Sequence, residues 1–150
     1  MPGEYNSHGI RFQYPENWQV EEDDLWTGQQ SVTVYSPGGA FWSVSVYPRG
    51  TDPQKLAEAA VSAMRQEYET MESYPFAPRL GGWESVGYEM NFFHLDLVCM
   101  AQVHAIQTEQ GTYVFFAQGW DQEFEKLAMV FEAMTVSCLS HIKKLSYWDK

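Results

Sequence analysis

Residues 83–118 read WESVGYEMNFFHLDLVCMAQVHAIQTEQGTYVFFAQ, and the alternation within them decides the fold. Val86, Tyr88, Met90 and Phe92 share one parity, opposed by Ser85, Gly87, Glu89 and Asn91. After an interruption, Cys99, Ala101, Val103 and Ala105 share the other parity, opposed by Met100, Gln102 and His104. Successive side chains of a strand point to opposite faces, so a period of two marks half-buried strands. A single strand over 83–107 would far exceed the usual run of about 3 to 10 residues, which predicts a reversal between about 93 and 98. Glu109, Gln110 and Gly111 supply the next hairpin. Residues 112–118 are apolar at both parities, with Val114 and Phe116 against Tyr113, Phe115 and Ala117. Such a strand belongs at the centre of a sheet, covered on both faces.

Working outward, residues 9–14 alternate Ile10, Phe12 and Tyr14 with Arg11 and Gln13, and the Pro15-Glu16-Asn17 break separates them from a second strand carrying Trp18 and Val20. The acidic run 21–24 reads as a solvated turn, because unspaced carboxylates lack the pattern with which a calcium loop wraps its ion. Val32 and Val34 mark a third strand, Ser36-Pro37-Gly38-Gly39 a turn, and Trp42, Val44 and Val46 one face of a fourth. A helix starts at 51–54, where Asp52 can cap with Pro53 at the first position, or Thr51 and Gln54 can form a capping box. Leu56, Ala60, Ala63, Met64, Tyr68 and Met71 recur at helical spacing, and Pro75 and Pro78 stop any continuation. Asp121 is the expected cap of a second helix, with Glu123 in its first turn and a stripe of Phe124, Leu127, Ala128, Phe131 and Met134. Residues 140–150 carry no clear pattern. The expected class is therefore α+β: one domain over 1–150 with its core at about 8–139, an antiparallel sheet of about six to seven strands covered by two amphipathic helices.

Composition narrows the function classes. Twenty Asp and Glu against nine Lys and Arg in 150 residues give a formal charge of −11, which would repel a phosphate backbone or an anionic lipid surface. Neither nucleic acid nor a membrane is an expected partner. No apolar run suits a signal h-region or a membrane span, and the expected compartment is the cytoplasm. Cys99 and Cys138 lie far apart without a Cys-x-x-Cys or a neighbouring His at ligand spacing, so free buried thiols are expected rather than a zinc site. Aromatics reach 16% with six Trp, more than a core of this size obviously absorbs.

The order four strands, helix, three strands, helix, together with the opening Gly9-Ile10-Arg11-Phe12-Gln13-Tyr14-Pro15-Glu16-Asn17-Trp18, resembles the PsbP-like α/β/α sandwich family. That family holds extrinsic subunits of the oxygen-evolving photosystem, a Ran-binding import factor and many uncharacterised bacterial proteins. Phe93-His94-Leu95-Asp96-Leu97 and Gly111-Thr112-Tyr113-Val114-Phe115-Phe116 are most similar to the uncharacterised bacterial members. The resemblance implies an accessory or scaffold role, with the sheet and its loops presenting a surface to another protein.

No Gly-x-Gly-x-x-Gly, Gly-x-x-x-x-Gly-Lys-Ser/Thr, Gly-x-Ser-x-Gly or His-Glu-x-x-His occurs, and no cofactor or metal is expected. His94 and Asp96, two residues apart near a hairpin tip, could pair as an imidazolium and its carboxylate or share a metal, but a catalytic metal site usually takes three protein ligands. They read first as polar residues of an exposed hairpin end, then as a partner contact. His8, His104 and His141 have no neighbouring constellation and read as structural. Met64, Met71, Met129 and Met134 read as core filling. Trp26, after the acidic run, and Phe41, which shares parity with Ser43 and Ser45 on a wetter face, are candidate contact residues. The expected function is a non-catalytic protein-interaction or accessory module, binding another protein or itself as a homodimer. The alternatives are a small-molecule binder with an apolar cleft between a helix and strand 112–118, and an enzyme using His94 and Asp96.

Overall fold

The computed structural model describes residues 2–24 and 30–142. In chain order these form β1 (Gly3–Ser7), β2 (Ile10–Tyr14), β3 (Gln19–Asp24), β4 (Gln30–Tyr35), β5 (Phe41–Tyr47), α1 (Pro53–Glu67), β6 (Glu72–Pro75), β7 (Val86–His94), β8 (Leu97–Thr108), β9 (Gly111–Trp120) and α2 (Asp121–Ser140). Seven strands make one sheet in the order β3-β4-β5-β9-β8-β7-β6, every neighbouring pair antiparallel. The two-sided apolar strand β9 lies at its middle, as its composition predicts.

The sheet is covered on both faces. On one face α1 packs Ala57 and Val61 over Met90, Phe92, Ala101, Val103 and Ala105, and Val114 and Phe116 of β9 join that core. On the other face α2 and the separate β1–β2 hairpin cover Val32, Val34, Trp42, Val44, Tyr113 and Phe115. Trp42 is fully buried; its ring meets Phe12 edge-on at 4.8 Å, and its Nε1 donates to Thr135 Oγ1 at 2.9 Å. The hairpin turns through His8 and Gly9, both with positive φ (55° and 82°), which sets Ser7 opposite Ile10. Two successive left-handed residues give the turn whose twist matches the strands it joins. Cys99 and Cys138 are free and buried, and burial pushes the Cys138 thiol up to about 12.

Several local expectations need correction. The run 21–24 is not a turn but part of edge strand β3, paired with β4. An edge needs only one neighbour, and the exposed carboxylates of Glu21 and Glu22 discourage a second sheet from adding on. Strands β1 and β6 have no counterpart in the sequence pattern: β1 brings Tyr5 into the core ahead of residue 8, and β6 is a short edge ending at Pro75. Ala60, Met64, Tyr68 and Met71 of the expected stripe pack on the core under α1, but the fully buried positions of the helix are Ala57 and Val61, and Ala63 is exposed. Met129 is exposed rather than core, because it lies off the Phe124–Phe131–Met134 stripe of α2.

Asp121 does not cap α2. It is the first helical residue, and Trp120 occupies the cap without a side-chain bond. Glu123 takes the anchoring role instead. Its Oε1 accepts from Ser36 Oγ (2.6 Å) and from the Ala40 amide (3.4 Å), and its Oε2 accepts from Trp120 Nε1 (3.0 Å). This carboxylate ties the β4–β5 turn to the first turn of α2, where the helix dipole also favours it. Glu123→Ala is expected to destabilise the fold by about 2 kcal/mol, read as a fall in the urea midpoint with unchanged slope; a change below about 0.5 kcal/mol would show the tie to be idle.

Candidate functional site

The β7–β8 hairpin reverses through Leu95 and Asp96, with His94 paired to Leu97 and Phe93 to Val98. The reversal lies inside the expected window. Leu95 and Asp96 have φ of 51° and 63°, a left-handed pair at positions that Asn-Gly fills at lower cost. Leu95 is nonetheless 81% exposed, and Phe93 63%, with Leu97 and Val98 exposed beside them. His94 is exposed; its ring meets that of Tyr68, the residue that caps α1, edge-on at 5.6 Å, and Tyr68 stacks on Phe92 at 4.2 Å. Asp96 is within the turn, so it does not share a strand face with His94, and no hydrogen bond or ion pair joins the two. The turn geometry removes the alternative of an imidazole–carboxylate pair, and both residues are exposed at the hairpin end, as the sequence pattern put first. Among the described residues no three His, Cys, Asp or Glu side chains converge as metal ligands.

Phe41 sits on the face that carries Ser43 and Ser45, as its parity predicts. It is half-buried in a row with Tyr35 (5.9 Å) and Phe116 (6.0 Å, stacked), at the border between the part of the sheet under α1 and the polar part over β4 and β5. Trp26 lies outside the described residues.

A cavity of about 160 Å³ opens on the opposite face, bounded by α2, by β8 and β9, and by segment 76–80. Sequence reasoning predicts an apolar cleft between a helix and strand 112–118; it misses the polar residue inside. Segment 76–80 is held over the sheet by the Phe76 amide on Gly87 O (2.9 Å), Ser85 Oγ on Pro78 O (2.6 Å) and reciprocal amide bonds between Leu80 and Trp83. Trp42, Phe115, Phe131, Phe76 and Leu80 give apolar walls, and Glu132 stands exposed among the lining residues. His104 is only 8% exposed, between Gly87 and Phe115 on the neighbouring strands. Its Nε2 makes a long 3.5 Å approach to Gln102 Oε1, while Gln102 Nε2 donates to Glu89 Oε1 at 2.9 Å. Among the described residues His104 Nδ1 has no hydrogen-bond partner. Burial pushes its pKa down to about 4, so the imidazole is neutral at physiological pH. The only sequence signal was a His on the less apolar parity of a strand whose other face is core, a pattern that exposed strand residues share.

Among the described residues, no helix is long and apolar enough to cross a membrane. No family model matches the chain, and no curated protein matches it. Solved structures do. A Bacteroides thetaiotaomicron protein aligns over 96% of this chain at 14% identity with a TM-score of 0.60, and the chain spans only 48% of that protein. The cyanobacterial PsbP of Synechocystis sp. PCC 6803 aligns over 91% of this chain and 90% of its own length, at 13% identity and a TM-score of 0.58. A Pseudomonas aeruginosa protein of unknown function aligns over 97% and 99%, at 11% identity and a TM-score of 0.51. At these identities the likeness is one of architecture, and the architecture this chain has is the PsbP-like sandwich of antiparallel sheet and two helices.

Proposed function

We propose that this chain is a non-catalytic protein-interaction module that docks through the tip of the β7–β8 hairpin. The observation that carries the reading is Leu95: a bulky apolar side chain, 81% exposed, in a backbone conformation that costs a non-glycine residue about 1 kcal/mol or more. A sequence selected for stability alone would place Asn-Gly there. Retaining Leu and Asp at that cost, with Phe93, Leu97 and Val98 exposed around them, favours selection for contact. The partner is a protein with an apolar concavity that takes Leu95 and Phe93. A neutral or basic rim suits Asp96 and the overall charge of −11. The accessory role is in keeping with the PsbP-like fold, since architecture alone transfers no chemistry.

The double substitution Leu95→Asn with Asp96→Gly separates folding from contact. It is expected to raise the melting temperature by about 2–6 °C, since relieving the turn is worth about 1–2 kcal/mol in a domain of this size. A photoreactive leucine analogue in place of Leu95, with Asp96 retained, is expected to cross-link in cells to one discrete heterologous protein. Binding of that protein is expected to fall at least tenfold in the double variant. Cross-links only to the chain itself, with a concentration-dependent dimer in sedimentation, would replace the reading with self-association. No discrete adduct, or unchanged binding by the stabilised variant, would overturn it.

A further inference from the structure

Given docking through the β7–β8 tip, on which this reading rests, we infer that the partner is a basic protein whose apolar pocket is rimmed by lysine and arginine, so that charge steers the two together. The strand register makes the tip a finger. Strand β6 begins with Glu72 opposite Asn91, and β9 ends with Trp120 opposite Cys99, so residues 92–98 run on beyond both neighbours. Cross-strand partners share a face, and successive residues alternate between faces. Phe92 and Cys99 belong to the core under α1, which puts Phe93 and Val98 on the opposite face of the finger, exposed, with Leu95 at its end.

The root of the finger carries mostly one sign of charge. Residues 80–125 hold seven Asp and Glu and no Lys or Arg. Asp96 lies exposed in the turn itself, and Glu72 is exposed where β6 begins. Glu69 is exposed next to Tyr68, whose ring meets that of His94. On the β9 side Asp121 follows Trp120, and after burial its charge is the next cause that raises the Cys99 thiol. Of the cations on the flanking helices, Arg65 donates to Ser73 Oγ beside β6, and Lys126 lies in the second turn of α2. A pocket with a basic rim would bury the apolar finger and pair with its acids, and the exposed ring of Phe93 offers a face to one of those cations. A second copy would bring −11 against −11, and anionic lipid or nucleic acid meets the same repulsion.

The test uses the intact chain with β-cyclodextrin, an apolar cup that takes one exposed leucine or phenylalanine side chain, in its native, amino-substituted and carboxylate-substituted forms. Binding is read residue by residue from amide resonance shifts. At low salt the amino form is expected to bind at residues 93–98 at least about fivefold tighter than the native form, an advantage lost by about 0.5 M salt. The carboxylate form is expected not to bind there. Asp96→Asn with Glu69→Gln, both at exposed positions, is expected to remove most of the amino form's advantage and to leave binding of the native form unchanged. Equal binding of the three forms at the finger would overturn the basic rim and leave docking through the tip standing. Binding of no form at 93–98 would also overturn it, and the cross-link at position 95 then decides the docking reading separately.

Discussion

Trp42→Ala is expected to cost about 3–5 kcal/mol of folding stability, a large share of the roughly 5–15 kcal/mol that holds a domain together. The size follows from where the ring lies. Trp42 is 1% exposed on β5, with Val34 beside it on β4 and Ala117 on β9, and it is the point where the β1–β2 hairpin, the sheet and α2 meet. Phe12 meets its ring in an edge contact from the hairpin and Phe115 lies tilted against it from the sheet, at 4.8 and 5.9 Å. Thr135 binds its Nε1 from α2, and the Thr135 hydroxyl in turn donates to Phe131 O, so the hydroxyl is used in both directions. Removing the ring deletes contacts to three layers, and the cavity beside it would grow because α2 cannot collapse past Phe131 and Thr135. Trp42→Phe keeps most of the contact area and loses the indole donor, so about 1–2 kcal/mol is expected. Urea denaturation checks both. An alanine variant within 1 kcal/mol of the parent would mean that the hairpin and α2 are not joined through this ring.

How much of this was legible in the sequence depends on the kind of constraint each residue carries. Strands β7 and β8 were readable because a buried side imposes the period of two over many residues, and β9 because cover on both faces makes it apolar at both parities. Helix α1 was announced by Asp52, whose Oδ1 accepts from the Gln54 amide, and by Pro53 at the first helical position. Edge strands carried little signal. β6 buries no residue and ends in Pro75, and β3 carries its acids because an edge may. The hairpin tip was located, and His94 and Asp96, read first as polar residues of its exposed end, are exposed there. What the pattern did not single out is Leu95 between them, exposed and with positive φ. His104 was invisible for a different reason. Its burial comes from segment 76–80 folding across the sheet, an irregular contact with no periodicity to read.

Acid sensitivity gives the sharpest reading of His104. The unfolded chain protonates this imidazole near the ordinary value of 6.5, while burial holds it neutral in the fold down to about 4. Between those values the unfolded state binds more protons, so stability rises with pH through this window and is lost on acidification. A shift from 6.5 to about 4 corresponds to about 3 kcal/mol, accumulated as pH falls from 6.5 to 4. Glu89, reached through Gln102, and Glu132 on α2 are the carboxylates of this region, and both remain in a His104→Leu variant, so the difference between parent and variant isolates the imidazole. At pH 7.5 the variant is expected to be within about 1–2 kcal/mol of the parent, on the stable side if the orphaned Nδ1 dominates over lost packing. At pH 4.5 the parent is expected to have fallen behind the variant by about 2–3 kcal/mol relative to that baseline. Parallel stability profiles for the two proteins between pH 4.5 and 7.5 would mean that His104 reaches water in the folded state.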